Sequence, residues 1–372
     1  MVNRERLINS FMEMTAISSV SGQEHEFRDY IRNEFEKRGF IAEEDDAGIT
    51  SGGTSGNLLL RKSGENDLQP VLLSAHMDTV EPGRNIKAVI ENNEVIRSAG
   101  GTILGADDKA AIAALLESVD IITENQLVCP PLEILLTVSE EQGLQGAKRF
   151  DYSRLNARLG YTLDGGGSPG TIIIKSPCQN EIEYIAYGKA AHAGIQPEQG
   201  VNAIKLAAAA MAQMPSGRID EETTCNFGVI SGGQARNIVP DYCSVRGEAR
   251  SLKREKLDQL THSLREIFIG SVTAGGGQAE VKVSFLYPEV RLNPDDKVVK
   301  LAIKAIENIG LPLELIETGG GSDASIINAH IPCANLGIGM QNVHTTEEYI
   351  KIHDLIDDVR LILAILEEYC SL

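Results

Sequence analysis

The sequence predicts an α/β protein with a mixed central sheet flanked by helices, and a smaller α+β domain of ferredoxin-like order inserted into it. Three observations carry that prediction. Short apolar runs of strand length alternate with amphipathic helical stretches up to about residue 178. Such alternation marks a sheet with helices on its faces. From residue 179 the pattern changes to half-exposed strands in the order β-α-β-β-α-β, which is the ferredoxin-like order. After Pro288 and Asn293-Pro294 the first pattern resumes. The expected organisation is residues 1–178 and 288–372 as one domain in two parts, with 179–287 inserted.

Each element has its own signal. Leu7, Ile8, Phe11, Met12 and Ala16 recur at helical spacing, so 4–17 is a helix. Residues 25–38 form a second amphipathic helix, closed by Gly39. A turn-rich loop follows at 48–56. Residues 57–60 and 71–75 are short apolar strands, 106–119 is helical, and 132–138 is a continuous apolar run of the doubly buried kind. Residues 142–150 are helical and 159–163 form another strand. In the inserted segment, strands are expected at 181–187, 226–230, 244–250 and 280–285, with helices at 201–214 and 253–269. The last part reads helix 297–309, strand 314–317, helix 323–329, strand 333–337 and helix 354–369.

Composition narrows the function classes. The 372 residues carry 53 acids and 34 bases, a net charge of −19, with 42% hydrophobic and 23% charged residues. These proportions suit a globular enzyme and not a disordered chain. The acid excess argues against nucleic acid and anionic membranes as partners. No apolar run reaches the roughly 18–20 residues of a membrane span. The first residues show no signal pattern, and six scattered cysteines without a CxxC spacing read as reduced thiols. A cytoplasmic protein is expected.

Five segments carry chemistry. An apolar run ends in His76-Met77-Asp78; residues two apart on a strand share a face, and Asp78 can fix a liganding histidine's tautomer. The pair also suits a structural or capping role. Gly105-Ala106-Asp107-Asp108-Lys109 places two acids at a helix start, where they either cap the helix or hold a metal. Thr137-Val138-Ser139-Glu140-Glu141 ends a buried-type strand in adjacent carboxylates, with Ser139 as an alternative cap. Leu163-Asp164-Gly165-Gly166 ends another strand in an acid. Asn342-Val343-His344 lies between a glycine-rich strand and the final helix. Two histidines and three carboxylates, one of them shared, form a ligand set for two adjacent divalent ions. The mixture of nitrogen and oxygen donors suits zinc.

In this order, these segments resemble the di-zinc exopeptidase family of peptidase T, glutamate carboxypeptidase and succinyl-diaminopimelate desuccinylase, and within it the peptidase T branch. The resemblance covers nearly the whole chain, the inserted domain included. It implies two zinc ions, one on His76 and Asp164 and the other on Glu141 and His344. It also implies that Asp107 bridges them beside a cis peptide to Asp108. Asp78 would orient His76, and Glu140 would be the general base for a zinc-activated water. Gly188-Lys189-Ala190-Ala191-His192-Ala193-Gly194 resembles a further family segment, and implies that His192 helps hold the oxyanion, in some relatives from the other subunit. Asn237 and Arg250 resemble substrate-binding positions, though Arg246 lies four residues from Arg250 on the same strand face. Gly319-Gly320-Gly321-Ser322-Asp323 matches a loop beside the site, or simply a helix start capped by Ser322 or Asp323.

The expected activity is release of the N-terminal residue from short peptides, tripeptides first. Alternatives are the same chemistry on a dipeptide, an N-acyl amino acid or a C-terminal glutamate amide. A metal-dependent peptide binder without catalysis is the rival from another class. An unligated Glu140 speaks against it. Nucleotide binding is unsupported, because no phosphate-loop pattern is present. A homodimer through the inserted domain is the expected assembly.

Overall fold

The computed structural model describes residues 1–64 and 68–371. The chain forms two compact units. The first comprises Met1–Ile174, Arg291–Glu317 and Ser322–Leu372, and the second Lys175–Val290 with Thr318–Gly321.

The first unit is built on a mixed sheet. Its strands lie in the order Ile41–Glu44, Leu58–Lys62, Leu132–Thr137, Val71–His76, Gly160–Gly165, Cys333–Gly337, Thr171–Ser176 and Val290–Arg291, with Glu314–Glu317 paired to Thr171–Ser176. The four middle strands from Leu132–Thr137 to Cys333–Gly337 are mutually parallel. Both outer pairs beside them are antiparallel. Val71–His76 and Leu132–Thr137 are buried along their whole length. Their unbroken apolar sequence follows from having a covered surface on either side. Leu72 and Leu73 are at most 1% exposed, and each contributes roughly 2 kcal/mol by leaving water. Helix Ala106–Asn125 is buried over most of its length, and helix Ile352–Cys370 packs against it.

Parallel strands decide where the site lies. Neighbouring strands run in one direction, so their C-terminal ends fall on one edge of the sheet, where open α/β sheets place their ligands. His76, the turn after Thr137 and Asp164 are therefore brought together by register: His76 pairs with Thr137, and Ser74 with Thr162.

Some expectations needed adjustment. The strands Ile41–Glu44 and Thr171–Ser176 and the hairpin Ala88–Glu91/Val95–Ser98 were not foreseen. The helix expected at 142–150 is only Gln145–Arg149. Ser139, Gly143 and Leu144 adopt positive φ of 50°, 88° and 60°, so the chain coils through a left-handed turn before a helix can start. Ser139 caps nothing; its hydroxyl donates to Glu24.

The second unit is a five-stranded antiparallel sheet in the order Gly217–Asp220, Thr223–Gly232, Tyr242–Ser251, Cys178–Tyr187 and Gln278–Tyr287. Helices Ala203–Met211 and Arg254–Ala274 supply Leu206, Leu257, Leu264 and Phe268 to a core with Tyr184 and Val245. The opposite face is polar, with Arg246, Glu183 and Lys282 in register across three strands. Among the described residues no helix is long and apolar enough to cross a membrane.

Candidate metal centre

Asp107 is the middle of the centre. Its Oδ1 lies 2.9 Å from His76 Nε2 and its Oδ2 lies 3.2 Å from His344 Nε2. One carboxylate thus faces two histidines. On the far side His344 Nε2 is 2.7 Å from Glu141 Oε1. On the near side His76 Nε2 is 3.9 Å from Asp164 Oδ1. The five residues expected to bind metal therefore form one continuous chain of donors.

The donor set fits divalent cations. Ligand atoms of His76, Asp107 and Glu141 lie within 4.8 Å of one another, and so do those of His76, Asp108 and Asp164. Ligands at 2.0–2.2 Å around one tetrahedral ion sit about 3.3–3.6 Å apart, so modest adjustment closes such groups on an ion. Asp108 enters the second group although it was given no ligand role. Its Oδ2 accepts the His76 backbone N–H at 3.0 Å and its Oδ1 has no hydrogen-bond partner. The direct contacts of both Asp107 oxygens favour Asp107 as the shared ligand. Glu140 belongs to neither group.

Backbone geometry aims these side chains. Gly105 precedes helix Ala106–Asn125 at φ 72°, a region that costs glycine little. The Asp107–Asp108 peptide is cis, and both residues depart from helical angles. Gly165 follows Asp164 where a Cβ would meet the Leu336 carbonyl at 2.6 Å, so only glycine permits that strand pairing. The Asp164 backbone N–H donates to Asn335 Oδ1 at 3.1 Å. His344 itself sits at φ 64°.

Asp78 touches His76 through both its backbone and its side chain. His76 Nδ1 is 2.9 Å from the Asp78 carbonyl oxygen and 3.5 Å from its carboxylate. The carboxylate also accepts the N–H groups of Glu140 and Glu141 at 2.9 and 3.2 Å and the Ser21 hydroxyl at 2.6 Å. It thereby fixes the turn that carries both glutamates. Glu24, absent from the sequence-derived set, braces the same turn by accepting the Ser139 N–H at 3.1 Å and the Gly22 N–H at 2.7 Å.

Burial and like charge dominate the electrostatics. Burial, reinforced by Asp164, raises the Glu140 carboxyl well above its usual range. Burial and Asp107 do the same to Asp164. Burial opposes ionisation of Asp107 too, but contacts with His344 and His76 hold it below the carboxylate range. His344 is pushed up to about 10 by Asp107 and Glu141. Burial raises Asp323 to about 6; one of its oxygens accepts from Thr137 and the other has no partner. Helix Asp323–Ile327 is capped by Ser322, whose side chain accepts the Ala324 N–H at 3.3 Å.

The remaining expected residues belong to the second unit. His192 is exposed on a short strand paired to Ile238–Val239, and its Nδ1 accepts the Gly194 N–H at 3.2 Å. Asn237 is exposed beside it, its carbonyl accepting the Ala193 N–H at 2.9 Å. Arg250 uses its fork internally: Nε and Nη2 each lie 3.0 Å from a Glu248 oxygen, and Nη1 lies 3.2 Å from the Gly319 carbonyl.

Two family models and several known proteins match this chain. Residues 178–269 match the peptidase dimerisation domain of the M20 peptidases, and residues 57–214 match peptidase family M28. The matches overlap at 178–214, and likeness over the full length favours the first. Peptidase T of Brevibacillus brevis is 27% identical over 292 residues, 75% of this chain and 68% of that one. The crystal structure of aminopeptidase PepT from Bacillus cereus is 40% identical, covers 99% of both chains and superposes with a TM-score of 0.90. That of a Staphylococcus aureus tripeptidase is 37% identical over the whole of both chains, with a TM-score of 0.95. With a donor set for divalent ions at the C-terminal edge of its parallel strands, the chain belongs to the peptidase T-like M20 family of metallo-exopeptidases.

Proposed function

We propose that this enzyme is a di-zinc aminopeptidase that releases the N-terminal residue of tripeptides. The observation that carries the reading is a buried Glu140 outside both groups of candidate ligands, beside donors in which Asp107 faces His76 and His344. The likeness to an aminopeptidase and a tripeptidase at 40% and 37% identity supports the substrate class.

His76 and Asp164 would hold one ion, Glu141 and His344 the other, and Asp107 both. When bound, the ions polarise the scissile carbonyl and make water a nucleophile near neutral pH. Glu140 accepts the proton of the attacking water and delivers it to the departing amine. Burial raises its affinity for a proton, which suits a group that takes one from water and passes it on. Asp78 keeps Glu140 in place through its backbone N–H. His192 would donate to the developing oxyanion, while Asn237 and Arg250 would bind the peptide. For Arg250 that means exchanging Glu248 for a substrate group, since a guanidinium fork holds one carboxylate bidentately.

A homodimer through the inserted unit, a cytoplasmic location and zinc as the resident metal complete the reading. The dimerisation-domain match supports the first, and six free thiols, five of them buried, fit the second. The test is a panel of free-amine and N-acetylated tripeptides with dipeptide controls. Release of the N-terminal residue from free-amine tripeptides is expected. Cleavage of the acetylated set alone overturns the aminopeptidase reading.

A further inference from the structure

The acids at the start of helix Ala106–Asn125 had two possible tasks, capping the helix or holding metal. The structure gives the capping task to another residue. The N–H groups of Leu104 and Gly105 donate to Glu348 Oε2 at 2.7 and 2.9 Å. Those of Ala106 and Asp107 donate to Glu348 Oε1 at 2.7 and 3.2 Å. Each carboxylate oxygen takes two amides, and Glu348 is 1% exposed. It lies more than 240 positions from its partners.

We propose that Glu348 is a positioning residue of the metal centre, holding the loop that presents Asp107 to both histidines. The proposal rests on the reading of Asp107 as the bridging ligand. These four amides lie in the turn that leads into the kink at Asp107 and Asp108, and one buried carboxylate gathers them with charge-assisted hydrogen bonds. Asp107 and Asp108 are thereby spared. At φ/ψ of −79°/99° and −123°/26° they leave the helical path, with Asp107 turned toward His76 and His344. Without Glu348 the amides are orphaned at a buried site, a cost of about 1–3 kcal/mol for each unsatisfied group. Asp107 and Asp108 carry carboxylates on the same turn, and an Asp107 that folds back to accept those amides leaves its histidines.

The clamp is also tied to the other side of the centre. Glu348 follows His344 by four residues, and the turn between them is closed by the Glu348 N–H on the Thr345 carbonyl at 3.2 Å and the Thr345 hydroxyl on the Asn342 carbonyl at 2.7 Å. One segment therefore supplies a ligand and the support of the ligand opposite.

The experiment titrates metal-free protein with zinc against a competing chelator, for wild type, Glu348→Ala, Glu348→Gln and Asp107→Asn, with circular dichroism confirming the fold of each. Glu348→Ala is expected to weaken zinc binding about 10- to 100-fold. Glu348→Gln keeps one acceptor oxygen and two of the amides, so it should fall between alanine and wild type; it also serves if the alanine variant does not fold. Folded Glu348 variants with wild-type affinity, while Asp107→Asn loses zinc, overturn the clamp alone. Wild-type binding of two zinc ions by Asp107→Asn overturns the bridge and the clamp with it.

Discussion

The two histidines of the metal centre are held in opposite ways. His76 is 2% exposed, ends a strand paired on both sides, and has its backbone N–H and Nδ1 tied to Asp108 and to the Asp78 carbonyl. His344 is 50% exposed, sits at φ 64° between the strands Met340–Gln341 and Tyr349–Lys351, and is aimed by contacts to Asp107 and Glu141. One half of the centre is thus part of the sheet, while the other is assembled by loops. Backbone pairing already holds the sheet half, so the loop half is expected to gain more from a bound metal. Asp107 joins the two and Glu140 stands apart from both.

The largest expected effect tests that separation. Glu140→Gln keeps the shape but removes the base, so turnover should fall by roughly 10²- to 10⁴-fold, with metal content unchanged by elemental analysis. Metal lost along with activity would make Glu140 a ligand instead. Next, His344→Ala should lose one ion of two, and its cost to metal-free stability should shrink as pH rises through about 10, where the pairing with Asp107 and Glu141 is lost. His76→Ala should lose metal and also destabilise the metal-free fold by about 1–3 kcal/mol, since it opens a buried polar network, as unfolding curves would reveal. A loss from His344→Ala that does not shrink as pH rises through about 10 would erase the distinction between sheet and loop.

The smallest effect is a pH slope. With its pKa near 10 in the metal-free protein, His344 is charged at neutral pH and must lose a proton before it can bind metal. Zinc affinity should therefore rise with pH below about 10, by up to tenfold per unit for each proton displaced. His344→Ala should make the slope of log affinity against pH shallower by about one. The stability that His344 pairing gives the metal-free protein has the opposite sign. A raised folded-state pKa makes that contribution full below about 6.5, the ordinary histidine value, and lost as pH climbs through about 10.

Much of this was legible in the sequence, for local reasons. An unbroken apolar run such as Val71–His76 announces a doubly covered strand, and an acid or histidine at its end points to the active edge. The fold class and the family followed from such segments taken in order. What stayed hidden depends on distant partners. Glu348 has no local signature, because it serves backbone groups more than 240 residues away. Ser139 reads as a cap from its sequence, yet left-handed angles at Ser139 and Leu144 delay the helix. Glu248 lies two residues from both Arg246 and Arg250 on one strand face, so the sequence offers it two partners, and the structure gives it to Arg250.

The central claim is that two ions sit on opposite sides of Asp107 while Glu140 holds neither. The most direct measurement is anomalous diffraction at the zinc edge from crystals of the zinc-loaded enzyme. The account predicts two peaks, one between His76 and Asp164 and one between Glu141 and His344, with Asp107 touching both. A single peak, or a peak within bonding distance of Glu140, would contradict it.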